Sequence, residues 1–154
     1  MTIIADFMGQ DHDRLDGIFS EFQAVKGSDL GKAKHFFSEF KRGLQRHIVW
    51  EEEILFPVFE QKTGMLEVGP TAVMRLEHKV IQQALAGIHE KIRQGNCESE
   101  IEEASLLATL SQHNEKEENI LYPSIDRLVT PEEGQEILRK VREYPQTASH
   151  ECCA

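Results

Sequence analysis

Four stretches of this chain carry apolar residues at alternating spacings of three and four, and in each stretch the row is broken by histidine or by histidine and glutamate. The first row is Met8, His12, Leu15, Phe19 and Phe22, and the second is Phe37, Phe40, Leu44, His47, Glu51, Ile54 and Val58. The third is Met74, His78, Ile81, Leu85, Ile88 and Ile92, and the fourth is Leu106, Leu110, His113, Glu117, Ile120 and Ser124. Such alternation keeps side chains on one face of an α-helix, so each row is the inward stripe of an amphipathic helix. Long stripes joined by short reversals predict an all-α fold, an antiparallel up-down-up-down four-helix bundle. Alternating β-branched runs that would compete for a sheet are absent.

Punctuation residues set the limits. The first helix is expected over Ile3 to Val25, stopping at Lys26-Gly27-Ser28, and the second over Lys32 to Lys62, stopping at Thr63-Gly64. The third begins after Gly69-Pro70 and ends near Gly95-Asn96, and the fourth runs from Ser99 to Leu128. A short fifth C-terminal helix starts at Thr130-Pro131-Glu132-Glu133, with Thr as N-cap, Pro at the first helical position and Glu at the third. It should end before Pro145. This gives one domain over residues 1-144 and a flexible tail over 145-154. Pro57 and Pro123 should kink or end their helices.

Counting outward from each reversal compares the depths of the polar interruptions. His12, His47, Glu51, His78, His113 and Glu117 come out within roughly 5 Å of one another along the bundle axis, at about 1.5 Å of rise per residue. They form one layer. An internal repeat reinforces this. His47-Ile-Val-Trp-Glu51-Glu52-Glu53-Ile-Leu-Phe-Pro57 and His113-Asn-Glu-Lys-Glu117-Glu118-Asn-Ile-Leu-Tyr-Pro123 both read H-x-x-x-E-E-x-x-L-[F/Y]-P. A lone inward histidine precedes each copy by 35 residues, His12 in one half and His78 in the other. The chain is a duplicated helical hairpin with its polar layer on the pseudo-twofold axis.

A histidine and a glutamate four apart stand one above the other on a helix. A single such pair is more often a surface contact. Two copies with the same flanks, joined in one layer by two isolated histidines, point instead to a metal site, since imidazole and carboxylate suit iron, manganese or zinc. Burying two carboxylates in an apolar layer costs several kcal/mol unless positive charge accompanies them. Two divalent cations supply that charge. With each glutamate bridging, the six side chains give eight bonds of the twelve that two octahedral ions take. A bridging solvent oxygen fills two more, leaving about one position per ion for a small ligand. Ferritin-like carboxylate sites need E-x-x-H pairs, and no histidine here has a glutamate three residues before it.

On His12, His47/Glu51, His78 and His113/Glu117, the chain resembles the hemerythrin HHE cation-binding family up to about Leu128. The resemblance implies the bundle fold and two iron ions in an oxo- or hydroxo-bridged di-iron centre reactive toward O2 or NO. Carried over, His12 and His47 would bind one iron, His78 and His113 the other, and Glu51 and Glu117 would bridge. The chain departs from the oxygen carriers, which place a second histidine one turn from the first on the third helix. Met74 and Gln82 stand four residues before and after His78. The carriers also have Asp five residues beyond the fourth-helix histidine, where this chain has Glu at four. The set of four histidines and two glutamates is closer to the repair-of-iron-centres di-iron proteins. That favours NO, peroxide or O2 chemistry in oxidative or nitrosative stress. The alternative is a non-catalytic oxygen or iron sensor, carrier or store, and a third reading is a structural bundle that takes zinc. Water or Gln82 is left to complete the second iron.

Composition narrows the partners. Twenty-seven acidic residues against 17 basic give a formal charge of -10, a surface that repels nucleic acid and anionic lipid. No run of 18 apolar residues is long enough to span a bilayer, and the N-terminus does not read as a signal peptide. Cys97, Cys152 and Cys153 are no disulfide framework, which fits a cytoplasmic chain. The expected partner is a small diatomic or peroxide ligand; a protein partner and a redox donor are not readable. Glu52, Glu118 and Glu77 flank the candidate ligands and are candidates for orienting them, Glu77 toward His78.

Overall fold

The computed structural model describes residues 2–145, and among these it is an all-helical bundle of four long rods and a fifth, shorter helix. α1 (Ile3–Val25) is the first rod. The second is continuous through α2 (Leu30–Trp50), one π-helical turn (Glu51–Leu55) and α3 (Phe56–Thr63). The third is α4 (Pro70–Arg93). The fourth repeats the second as α5 (Glu100–Lys116), a π-helical turn (Glu117–Leu121) and α6 (Tyr122–Leu128), and α7 (Pro131–Glu143) follows. The tail with His150, Cys152 and Cys153 lies outside the described residues. No described helix is long and apolar enough to cross a membrane.

The ends are set by local chemistry. Asp29 caps α2 by accepting from the Lys32 amide at 3.0 Å. Thr130 and Glu133 close a capping box ahead of α7, with Pro131 in the first turn. α3 stops at Gly64, whose φ of 75° is the left-handed conformation that glycine adopts without strain. The first amides of α1 are capped from far along the chain: Asp126 on α6 accepts from Ile4 at 2.9 Å and from Ala5 at 3.0 Å.

Neither proline ends its rod. The Phe56 amide donates to the Glu51 carbonyl and the Tyr122 amide to the Glu117 carbonyl, five residues back instead of four. The widened turn lies directly ahead of a residue that has no N–H and whose ring crowds the preceding turn, and it lets the helix carry on. It also adds one residue to the turn, so the inward face moves by one position. Leu55 and Phe59 are buried where Ile54 and Val58 were expected, and Ile54 and Val58 pack only partly. Likewise Leu121 and Ile125 are buried, whereas Ile120 is 56% exposed and Ser124 is only half-buried.

The core is in two parts. One apolar cluster contains Phe19, Phe22, Phe37, Phe40, Leu85 and Leu106 with their neighbours. The other contains Ile4, Met8, Leu55, Phe56, Met74 and Ile125, and is covered by Ile137, Leu138 and Val141 of α7. Between them lies the polar layer.

Candidate metal centre

Each of the four rods contributes to this layer. α1 supplies His12, α2 supplies His47, α4 supplies His78 and α5 supplies His113. Glu51 and Glu117 are the first residues of the two π-helical turns. All six are buried, the two glutamates completely. Their donor atoms fall into two groups, His12, His47, Glu51 and Glu117 in one and Glu51, His78, His113 and Glu117 in the other. Within each group the atoms lie within 4.8 Å of one another, and both glutamates belong to both groups.

The outer nitrogen of every imidazole meets a carboxylate. His12 Nδ1 lies 2.7 Å from Glu118, His47 Nδ1 2.8 Å from Asp11, His78 Nδ1 2.9 Å from Glu52 and His113 Nδ1 3.1 Å from Glu77. An ionised carboxylate only accepts, so Nδ1 is the donor in each pair. A neutral ring then turns the Nε2 lone pair inward, the form in which imidazole binds a metal. Lys116 pairs with Glu77, and Arg14 donates to Asp11 at 2.9 Å, so two of the four clamps are themselves held. Burial alone would raise the Asp11 and Glu77 carboxyls, but their hydrogen bonds hold both below the usual carboxylate range.

The inner nitrogens and carboxylate oxygens are close without hydrogen bonding one another. Glu51 reaches both sides, with Oε1 3.4 Å from His47 Nε2 and Oε2 3.1 Å from His78 Nε2. Glu117 Oε1 lies 3.4 Å from His12 Nε2 and 3.1 Å from His113 Nε2. Yet Glu51 Oε2, His78 Nε2 and both oxygens of Glu117 have no hydrogen-bond partner although fully buried. Donors about 2.1 Å from one ion and at right angles around it stand about 3 Å apart and aim at the ion instead of at each other. The separations of 3.1 to 3.4 Å here suit such an ion. Charge agrees with geometry. Burial would raise the Glu51 carboxyl, yet the neighbouring His47 charge holds it well below its usual range. Burial would lower the His47 imidazole, but Glu51 and Asp11 outweigh this and raise it to about 10. The layer demands positive charge, and a cation between the donors meets the demand that a ring proton otherwise would. The residues fit two metal ions.

Two residues at the site escaped the sequence reading. Asp11 immediately precedes His12 but clamps His47 on the neighbouring rod. Tyr122, completely buried, donates to Glu51 Oε1 at 2.5 Å. Glu77 serves His113, not the adjacent His78. Gln82 is exposed and takes no place in the layer. Trp50 packs between rods, 6.0 Å from Phe7 with Arg46 over its face. The remaining described histidines lie apart from the layer. His35 is exposed beside Glu39, and His89 sits near Lys41.

Comparison with known proteins gives the same direction. The profile of the hemerythrin HHE cation binding domain matches residues 3–125. An uncharacterized hemerythrin-like protein of Schizosaccharomyces pombe is 27% identical over 155 residues, covering 97% of this chain and 74% of that protein. No solved structure matches.

Proposed function

The chain belongs to the hemerythrin HHE cation-binding family, and on that premise we propose that it is a non-heme di-iron protein whose centre binds or reacts with O2, nitric oxide or peroxide in oxidative or nitrosative stress. The observation that carries this reading is the set of buried, unpartnered donors converging from both glutamates and His78. His12 and His47 would hold one ion, His78 and His113 the other, with Glu51 and Glu117 shared. Iron held this way supplies Lewis acidity and one-electron chemistry to a small ligand.

The chain's own residues do the rest. Asp11, Glu118, Glu52 and Glu77 hold the imidazoles in the metal-binding tautomer and orientation. The apolar clusters above and below the layer keep bulk water from it. The position one turn from His78, where an oxygen carrier has a further histidine, is outward-facing Gln82 on one side and Met74 of the apolar core on the other. That favours a reactive centre of the repair-of-iron-centres kind over reversible carriage.

Metal analysis and an absorption spectrum of the protein as isolated, repeated with dithionite, NO and peroxide, test the proposal. Two irons per chain and consumption of NO or peroxide support it. A stable ligand-bound spectrum without turnover would assign a sensor, carrier or store instead. A colourless zinc protein refutes the iron reading. Replacing His113 or Glu117 by Ala should cost the second ion or the shared carboxylate, so two metals per chain in either variant would remove the ligand assignment.

A further inference from the structure

Resting on that reading, we propose that the Tyr122 hydroxyl is a seventh protein donor, to the ion held by His12 and His47, and that the small-ligand position therefore lies on the ion held by His78 and His113. The Tyr122 oxygen sits 3.1 Å from His47 Nε2, 3.4 Å from His12 Nε2 and 2.5 Å from Glu51 Oε1. These atoms belong to three of the four residues of the first group, and the distances suit neighbouring donors around one ion. The phenol has one proton, and it is donated in the hydrogen bond to Glu51. With each Nδ1 donating to its own carboxylate, neutral imidazoles turn lone pairs toward the hydroxyl. Where a cation takes the place of a ring proton, two nitrogen lone pairs and an oxygen face one another. A shared cation makes that arrangement favourable.

The other half of the duplicated hairpin is different. Tyr122 follows Glu117 by five residues, and Phe56 follows Glu51 by five. Each opens the α-helix after its π-helical turn, and each ring lies beside the lone histidine of the layer: Tyr122 is 5.8 Å from His12, and Phe56 stacks on His78 at 5.6 Å and 12°. Only Tyr122 carries an oxygen. With each glutamate giving one bond to each ion, the first ion would receive five protein donors and the second four. A bridging solvent oxygen would then close the first at six and leave the second one open position. Bound to a ferric ion, the Tyr122 oxygen would be a phenolate, its proton having passed to solvent, one per tyrosine bound.

The test uses the full chain, loaded with two equivalents of ferrous salt, oxidised in air and assayed for iron. Resonance Raman and visible absorption should show tyrosinate-to-iron(III) charge transfer. The chain has two tyrosines. The signal should vanish entirely in Tyr122→Phe with both irons retained, persist in Tyr144→Phe, and roughly double in Phe56→Tyr. Azide titration should saturate at one per iron pair in the wild type and two in Tyr122→Phe. Two irons without a tyrosinate signal, a signal that survives Tyr122→Phe, or equal azide binding overturns this proposal and leaves the di-iron centre standing. Absence of bound iron overturns both. Should Tyr122→Phe fail to fold, the wild type and Tyr144→Phe decide by the presence or absence of the signal.

Discussion

Asp11 and Glu77 each stand immediately before an inward histidine and each serve a different one, His47 and His113. Glu52 and Glu118 follow the shared glutamates and reach His78 and His12 in the opposite halves. One helical residue turns about 100° around the axis, so an acid adjacent to an inward residue points at the neighbouring rod and not along its own stripe. The six inward donors could be read from sequence because they share a period with the core. The clamps could be recognised only as nearby acids, because their partners depend on which rods touch. Tyr122 escaped for the same reason, its hydroxyl acting across to α1 and α2. Replacing Asp11 by Ala should leave the bundle folded and weaken metal binding about 10- to 100-fold, measured by competition with a chelator of known affinity. Unchanged affinity would make that contact incidental to the centre.

The two π-helical turns decide what the elements present. Segment limits were legible from Gly, Pro and capping residues: α1 was expected over Ile3 to Val25 and occupies that span. What the spacing could not give was the extra residue at Glu51–Leu55 and Glu117–Leu121, since a three-four pattern can be continued through either of two adjacent apolar positions. The duplicated Leu-[Phe/Tyr]-Pro after each shared glutamate was the available sign, and its physical meaning is a helix that must widen to pass a proline. Leu121→Ala should destabilise the protein by about 2–5 kcal/mol, as a buried leucine does, and Ile120→Ala by less than about 0.5 kcal/mol. Urea unfolding of the two variants reads the difference; the reverse order would mean that the rod keeps plain α-helical register.

At the scale of the molecule, a polar layer separates two apolar clusters, and metal bound there would help hold the halves together. Removing metal with a chelator should lower the melting temperature, and restoring iron or zinc should recover it. Free metal at 100 times its dissociation constant contributes about 2.7 kcal/mol, on the order of 5–10 °C for a chain of this size. A melting temperature indifferent to metal would place no ion in the layer. Loading should also weaken progressively as pH falls from about 10, the value to which the His47 imidazole is raised in the layer, toward the ordinary imidazole range, because protons compete for the same nitrogen lone pairs. Metal retained per chain after dialysis across that range measures this. Glu51 and Glu117 arise from opposite hairpins, and each donor group contains both. A ribosome therefore releases neither complete nest until the last rod has been synthesised, so an unfinished or truncated polypeptide lacks a full set of donors for either ion.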